Sequence, residues 1–194
     1  VLRNEQSTMV LDKDAGGAIV SLVDNTTGRE LVARDPATPL FRLGLSRPGD
    51  TSGELIWLTS RDAAAVAYAV EEHGSCKVAK LTFKRLSGRQ LNADCTVSVS
   101  PENGNLLWRL ALEGTEALIL ERVEFPSVVL RVPSREDDAD DAFVAGSVKG
   151  GVYPQPSRWP VGTGVGPLSQ PGPLAAQFAC YYDTSCGFYS ATQD

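Results

Sequence analysis

Apolar and polar residues alternate along much of this chain, and the clearest case is residues 90–100. Five apolar residues, from Leu91 to Val99, occupy every second position there, with polar residues between them. A β-strand with one face toward a core and the other toward solvent requires this period of two. Similar but weaker patterns predict further strands at residues 40–46, 64–70, 105–113, 117–125, 174–182 and 187–191.

Short turn signals separate these strands, and strands joined by short turns run antiparallel. The turns are indicated by Gly, Asn, Asp and Pro at residues 14–17, 25–28, 87–89, 101–104 and 183–185. Residues 61–72 contain enough alanine for a helix, but the spacing of Val66, Tyr68 and Val70 favours a strand. We therefore predict an all-β fold, a large antiparallel β-sandwich, with more than about 40% strand and under about 10% helix.

A different composition marks residues 146–173, where Gly and Pro interrupt any apolar pattern. Such a stretch is typical of a long ordered loop or of a linker. Because apolar strands follow it, we expect it to lie within a single domain that spans residues 1–194. Its Tyr153, Arg158 and Trp159, together with Tyr182, are candidates for carbohydrate binding or for a domain interface, since exposed aromatic rings beside polar groups bind sugars. Ordinary buried packing of these rings is the alternative.

Length and charge exclude several classes of protein. The chain has 194 residues, of which 42% are hydrophobic, enough for one domain with a sizeable core. No stretch approaches the roughly 18 apolar residues that a membrane span needs, so we expect no membrane association. The net charge of −6 repels phosphate backbones, which makes nucleic acid an unfavourable partner.

The chain offers little catalytic or metal-binding chemistry. His73 is its single histidine, and no nucleophile motif accompanies it. The glycine-rich residues 162–166 lack the strand and helix that a phosphate loop needs. The acidic run at residues 136–141 is interpreted as a solvated loop, with a calcium site as the alternative. We therefore predict no catalytic residue, no metal site and no cofactor.

Four cysteines, Cys76, Cys95, Cys180 and Cys186, are too few for a disulfide scaffold and contain no C-x-x-C pair. Free thiols are favoured, since Cys95 falls in an apolar alternation where a small buried residue suffices. Cys180 and Cys186 flank a predicted turn, so a bond across a hairpin remains the alternative. No targeting segment indicates a cellular compartment.

Beyond these patterns, the order of the strands resembles a known family. The chain is similar to the galactose-mutarotase-like supersandwich domains that precede a catalytic barrel in many glycoside hydrolases. The resemblance rests on structural motifs at residues 2–5, 10–12, 17–24, 27–31, 107–110, 123–126, 177–183 and 187–189.

The resemblance implies an accessory, non-catalytic β-sandwich of a carbohydrate-active enzyme. Such a domain supports the barrel and shapes one rim of its substrate cleft, and the catalytic groups lie on the barrel, expected here after residue 194. Related epimerases use a histidine pair, which this chain with His73 alone lacks. The alternatives are a free-standing carbohydrate-binding module that uses the loop aromatics, and a homodimer of this chain in place of the barrel contact.

Overall fold

The computed structural model describes residues 1–33, 37–73, 76–99, 105–114, 117–131, 140–147, 151–159 and 174–191. Of these residues, 62% lie in β-strands. The described helical structure consists of two three-residue 3₁₀ turns, Ser60–Asp62 and Pro156–Arg158. The prediction of an all-β, strand-rich chain is therefore confirmed. Within these ranges no helix is long and apolar enough to cross a membrane.

Fifteen strands are described, numbered here in chain order. They are β1 (Leu2–Arg3), β2 (Ser7–Asp12), β3 (Ala18–Asp24), β4 (Arg29–Glu30), β5 (Arg42–Ser46), β6 (Ile56–Thr59), β7 (Ala63–His73), β8 (Cys76–Leu86), β9 (Leu91–Val99), β10 (Leu106–Gly114), β11 (Ile119–Glu124), β12 (Ala142–Ser147), β13 (Gly151–Pro154), β14 (Leu174–Tyr182) and β15 (Gly187–Ala191).

The strands form four small antiparallel sheets, so the predicted large β-sandwich is wrong. Sheet 1 has the order β1-β2-β3-β4, sheet 2 β10-β9-β8-β7, sheet 3 β11-β5-β6 and sheet 4 β13-β12-β14-β15. A sandwich packs two broad sheets face to face, whereas here the strands divide into separate sheets of three or four strands. A period of two identifies the buried face of a strand, but it does not say how many strands share a sheet.

The first compact unit, Val1–Leu130, contains sheets 1 to 3. Its core is formed by the buried faces of these sheets. In sheet 2, Cys95 lies opposite Leu81 on one side and Leu110 on the other, and Cys95 and Leu81 are fully buried. Phe83 of sheet 2 packs edge-to-face on Phe41, with ring centroids 5.1 Å apart.

The second compact unit, Arg131–Asp194, contains sheet 4. Part of this sheet was predicted to be loop, since β13 and the turn Pro156–Arg158 fall inside residues 146–173. Four residues in β13 are too few to display a period, and pairing with β12 is what makes them a strand. Residues 160–173, including the glycine-rich run, lie outside the described residues. That the whole chain forms one domain stays a prediction.

Each strand predicted from the alternation is present in the structure, whereas several other strands were not predicted. Strands β14 and β15 have the predicted bounds, and the strand favoured over a helix within residues 61–72 is β7, which follows the turn Ser60–Asp62. Strand β8 was missed although Ala79, Leu81 and Phe83 alternate there with Lys80 and Thr82. The short strands β6 and β12 were also missed.

Candidate functional site

The solvent side of sheet 3 carries an exposed tryptophan between two arginines. Strand β5 is central in this sheet and alternates buried Leu43 and Leu45 with outward positions 42, 44 and 46. The antiparallel register places Trp57 of β6 and Arg122 of β11 on either side of Gly44. It likewise places Glu124 of β11 opposite position 42. We name the set Arg42, Gly44, Trp57, Arg122 and Glu124 the Trp57 face.

Gly44 provides the space in which the indole lies. A Cβ at this position would lie 3.3 Å from Cη2 of Trp57, 3.2 Å from Cβ of Arg122 and 2.9 Å from Cδ1 of Leu55. Glycine inside a strand marks a close approach of another group, and here that group is the indole. Trp57 remains 38% exposed, so part of its surface is open to a ligand.

Two guanidinium groups and one carboxylate surround the indole. Cζ of Arg42 lies 4.6 Å from the centroid of the Trp57 ring, and Cζ of Arg122 lies 5.8 Å from it. These are cation–π distances. Glu124 joins the two cations, because its oxygens lie 3.1 Å from Nη1 of Arg42 and 3.3 Å from Nε of Arg122. The two arginines are thereby held beside the ring.

An open groove of about 640 Å³ adjoins the Trp57 face. Arg42, Thr59 and Glu124 belong to its lining. The segments that precede β5 and follow β11 contribute Pro39, Pro126 and Val128. Arg42 also contacts Trp57, so this side chain is shared by the groove and the Trp57 face. Its volume lies within the range of about 300 to 1,000 Å³ that is typical of small-molecule sites.

The turn Ser60–Asp62 holds one wall of this groove. Asp62 Oδ2 accepts hydrogen bonds from the backbone N–H and the hydroxyl of Thr59, at 2.7 and 2.8 Å. Buried Ser60 accepts a hydrogen bond from Leu40 N at 2.9 Å and donates its own N–H to Phe41 O at 3.1 Å. A wall with these bonds is preorganised, which lowers the entropic cost of binding.

The residues predicted as sugar or interface candidates lie in the second unit, and only some of them are brought together. Tyr153 packs edge-to-face on Trp159 with centroids 6.1 Å apart, and both rings are half-buried. Arg158 is exposed at the end of the turn Pro156–Arg158. Tyr153 and Tyr181 both pair with Phe143 and therefore share one face of sheet 4. Tyr182 follows Tyr181 in the strand, so it lies on the opposite face from Tyr153, where it is 39% exposed.

The acidic run contributes structural bonds where it is described. Asp141 is buried and accepts a hydrogen bond from the Tyr181 hydroxyl at 3.0 Å. Burial and this bond raise the pKa of Tyr181 above its ordinary value. Asp140 accepts a hydrogen bond from the Thr184 hydroxyl at 2.6 Å. Residues 136–139 lie outside the described residues, and no metal-binding group of three or more side chains occurs within those described.

Three of the four cysteines are described as free thiols, Cys95, Cys180 and Cys186. The hairpin alternative for Cys180 and Cys186 is therefore wrong. Cys180 lies opposite Tyr189, and Cys186 precedes Gly187, the partner of Tyr182. The alternation of the two strands directs the cysteines to opposite sides of the sheet. Burial raises the pKa of Cys95 to about 12.

Comparison with family models, curated proteins and solved structures finds no match to this chain. The resemblance to galactose-mutarotase-like domains therefore stays a prediction, while the supersandwich architecture attached to it is wrong.

Sequence reasoning missed every member of the Trp57 face. Arg42 and Gly44 fell in a predicted strand, as did Arg122 and Glu124, but nothing local connects two strands that are about 80 residues apart. One signal was present in the sequence: Gly44 stands at an outward position of the alternation Phe41, Leu43, Leu45, and a glycine inside a strand indicates that another group lies close to the backbone.

Proposed function

We propose that this chain binds carbohydrate on the Trp57 face, as a non-catalytic module of a carbohydrate-active enzyme. The exposed indole over Gly44, with charged partners and a groove beside it, is the observation that carries the proposal. The proposed binding site therefore lies on sheet 3, and not at the loop aromatics that were the candidates from the sequence. A glycoside hydrolase as the parent enzyme is part of the same proposal.

The chemistry of a sugar ring matches this surface. One face of a pyranose carries mostly C–H groups, which pack against an exposed indole. Its hydroxyl groups both donate and accept hydrogen bonds, and Arg42, Arg122 and Glu124 supply donors and acceptors beside the ring. The groove next to Arg42 gives space for further rings of an oligosaccharide.

Nucleobases also stack on aromatic side chains, with arginine as a frequent partner. Two observations favour sugar over nucleic acid. The chain carries a net charge of −6, which opposes the approach of a polyanion. Glu124 also already neutralises part of the charge of Arg42 and Arg122, so neither guanidinium is an open phosphate site.

Titration calorimetry with soluble oligosaccharides tests the proposal on the whole chain. We expect Trp57→Ala to weaken binding at least about tenfold, which corresponds to about 1.4 kcal/mol, because the stacking surface is lost. Gly44→Ala should weaken binding too, since its Cβ would crowd Leu55, Arg122 and Trp57 at 2.9 to 3.3 Å. The control is Trp159→Ala, which removes a half-buried tryptophan in the other unit, and it should leave the affinity within about twofold.

Two results would overturn this assignment. If Trp159→Ala abolishes binding while Trp57→Ala preserves it, the loop aromatics are the binding site. If no glycan in a broad panel binds the wild-type chain, carbohydrate binding itself is wrong. Circular dichroism of each variant confirms that a loss of affinity is not a loss of fold.

A further inference from the structure

Positively and negatively charged side chains occur together around the candidate site. On the Trp57 face, the cations Arg42 and Arg122 share the carboxylate of Glu124 at 3.1 and 3.3 Å. A second carboxylate, Glu121, accepts a hydrogen bond from the hydroxyl of Ser46 at 2.8 Å, on the same side of β5 as position 42. Glu124 thus pairs with both cations, and Glu121 adds a second carboxylate to the outward side of sheet 3.

Side chains of both charges also bond to the wall of the groove. Arg61 donates a hydrogen bond from Nη1 to the carbonyl oxygen of Ala37, a lining residue, at 3.2 Å. Asp62 bonds the lining residue Thr59 through its carboxylate at 2.7 and 2.8 Å. One guanidinium group and one carboxylate therefore bond to lining residues of the groove.

We infer that the ligand of the Trp57 face is a neutral oligosaccharide and that Glu124 determines this specificity. The inference rests on the proposed function and concerns the class of glycan that the site accepts. It excludes glycans that carry uronic acid or sulfate groups, although two arginines beside an aromatic ring would by themselves suggest an anionic ligand.

The reason lies in the hydrogen-bonding capacity of each group. Glu124 is an acceptor only, and Arg42 is a donor only. A sugar hydroxyl satisfies both, since it donates to the carboxylate of Glu124 and accepts from the guanidinium of Arg42. A ligand carboxylate or sulfate accepts from Arg42 but faces the carboxylate of Glu124 as a second anion, and like charges at this distance repel. The net charge of −6 adds a long-range repulsion.

The test measures binding of two sets of probes to the whole chain by calorimetry at 50 and 500 mM NaCl. The neutral probes are the hexamers of cellulose, xylan and mannan, and the acidic probe is hexagalacturonate. We expect at least one neutral hexamer to bind with an affinity that changes less than about twofold between the two salt concentrations, because little charge is neutralised on binding. Hexagalacturonate should bind at least about tenfold more weakly.

Glu124→Gln identifies the responsible residue. The substitution keeps the size of the side chain and removes its charge, so we expect measurable binding of hexagalacturonate, lost again at 500 mM NaCl. Glu113→Gln is the matched control. It makes the same change of net charge at an exposed position of β10 in sheet 2 and should not gain this binding.

The outcomes separate this inference from the proposed function. If wild-type chain prefers hexagalacturonate, or if Glu113→Gln and Glu124→Gln gain acidic-glycan binding equally, glycan binding stands and the role of Glu124 is wrong. If no hexamer binds, the proposed function fails first. The wild-type comparison needs no variant, so the inference remains testable even if Glu124→Gln does not fold.

Discussion

Gly44 shows how a single residue without a side chain shapes a surface. Its neighbours in β5 are buried leucines, whereas on its outward side the indole of Trp57 comes within 3.3 Å of the position that a Cβ would take. Arg42, two residues away on the same side of β5, reaches to 4.6 Å from the ring centroid. The absence of a side chain at Gly44 therefore lets Trp57, Arg122 and Leu55 approach the strand closely.

Cys95 leads to a prediction about alkaline pH. Burial raises its pKa to about 12 from an ordinary value of 9.0, so the folded state holds the thiol proton more tightly than the unfolded state. The stability linked to this proton is therefore complete below about pH 9 and is lost as pH rises toward 12. Above pH 9, we expect this one thiol to contribute a fall of up to about 1.4 kcal/mol per pH unit.

Denaturant melts from pH 8 to 11 measure this slope. Cys95→Ala should be less stable at pH 8 but decline less steeply above pH 9. Val97→Ala, which trims another fully buried side chain of β9 and keeps the thiol, should decline like wild type. Equal slopes for all three proteins would show that Cys95 does not titrate as proposed.

At the scale of elements, the turn between β2 and β3 is the point where three sheets meet. A Cβ on Gly17 would lie 2.8 Å from Cδ2 of Leu81 and 3.3 Å from both Leu40 and Phe83. These neighbours come from sheet 2 and from the segment that leads into sheet 3. The turn needs glycine also for its backbone, since Gly17 has a φ of +78°.

Two glycine substitutions separate these effects. Gly28 has a similar φ of +71°, but no atom lies within 4 Å of a Cβ built there. We expect Gly28→Ala to cost about 1 to 2 kcal/mol for the left-handed backbone alone. Gly17→Ala should cost about 2 to 5 kcal/mol, because overpacking of the core is added. Urea unfolding of both variants provides the comparison, and equal losses would mean that the core yields easily around Gly17.

At the scale of the whole molecule, the buried apolar residues are distributed unevenly. Among the described residues, every fully buried apolar side chain except Ala145 belongs to the unit Val1–Leu130. The Trp57 face and its groove also belong to this unit. A unit with its own core meets the usual requirement for independent folding.

We therefore expect a fragment of residues 1–130 to fold alone and to bind the same glycan as the whole chain, within about threefold in affinity. Its circular dichroism should be that of a β protein, and its denaturant transition should be cooperative. A fragment that is unfolded, or that is folded yet does not bind, would show that unit 1 depends on residues 131–194.

The sequence by itself determined the most regular strands and, in β9, the buried face. There the alternation predicted that Leu91, Ala93, Cys95, Val97 and Val99 share one face, and all except Leu91 are buried. The bounds of β14 and β15 were also predicted correctly. These features follow from a local rule, since successive side chains of a strand point to opposite sides whatever the strand pairs with.

Only the tertiary structure decided the number of sheets and the composition of the candidate site. Strand β11 reaches β5 across about 80 residues, and that pairing brings Arg122 and Glu124 to Trp57. The choice of partner strand depends on the packing of the whole unit, which no local pattern encodes. For the same reason the predicted candidates Tyr153 and Tyr182 fell on opposite sides of sheet 4, while the Trp57 face became visible only once its three strands were placed side by side.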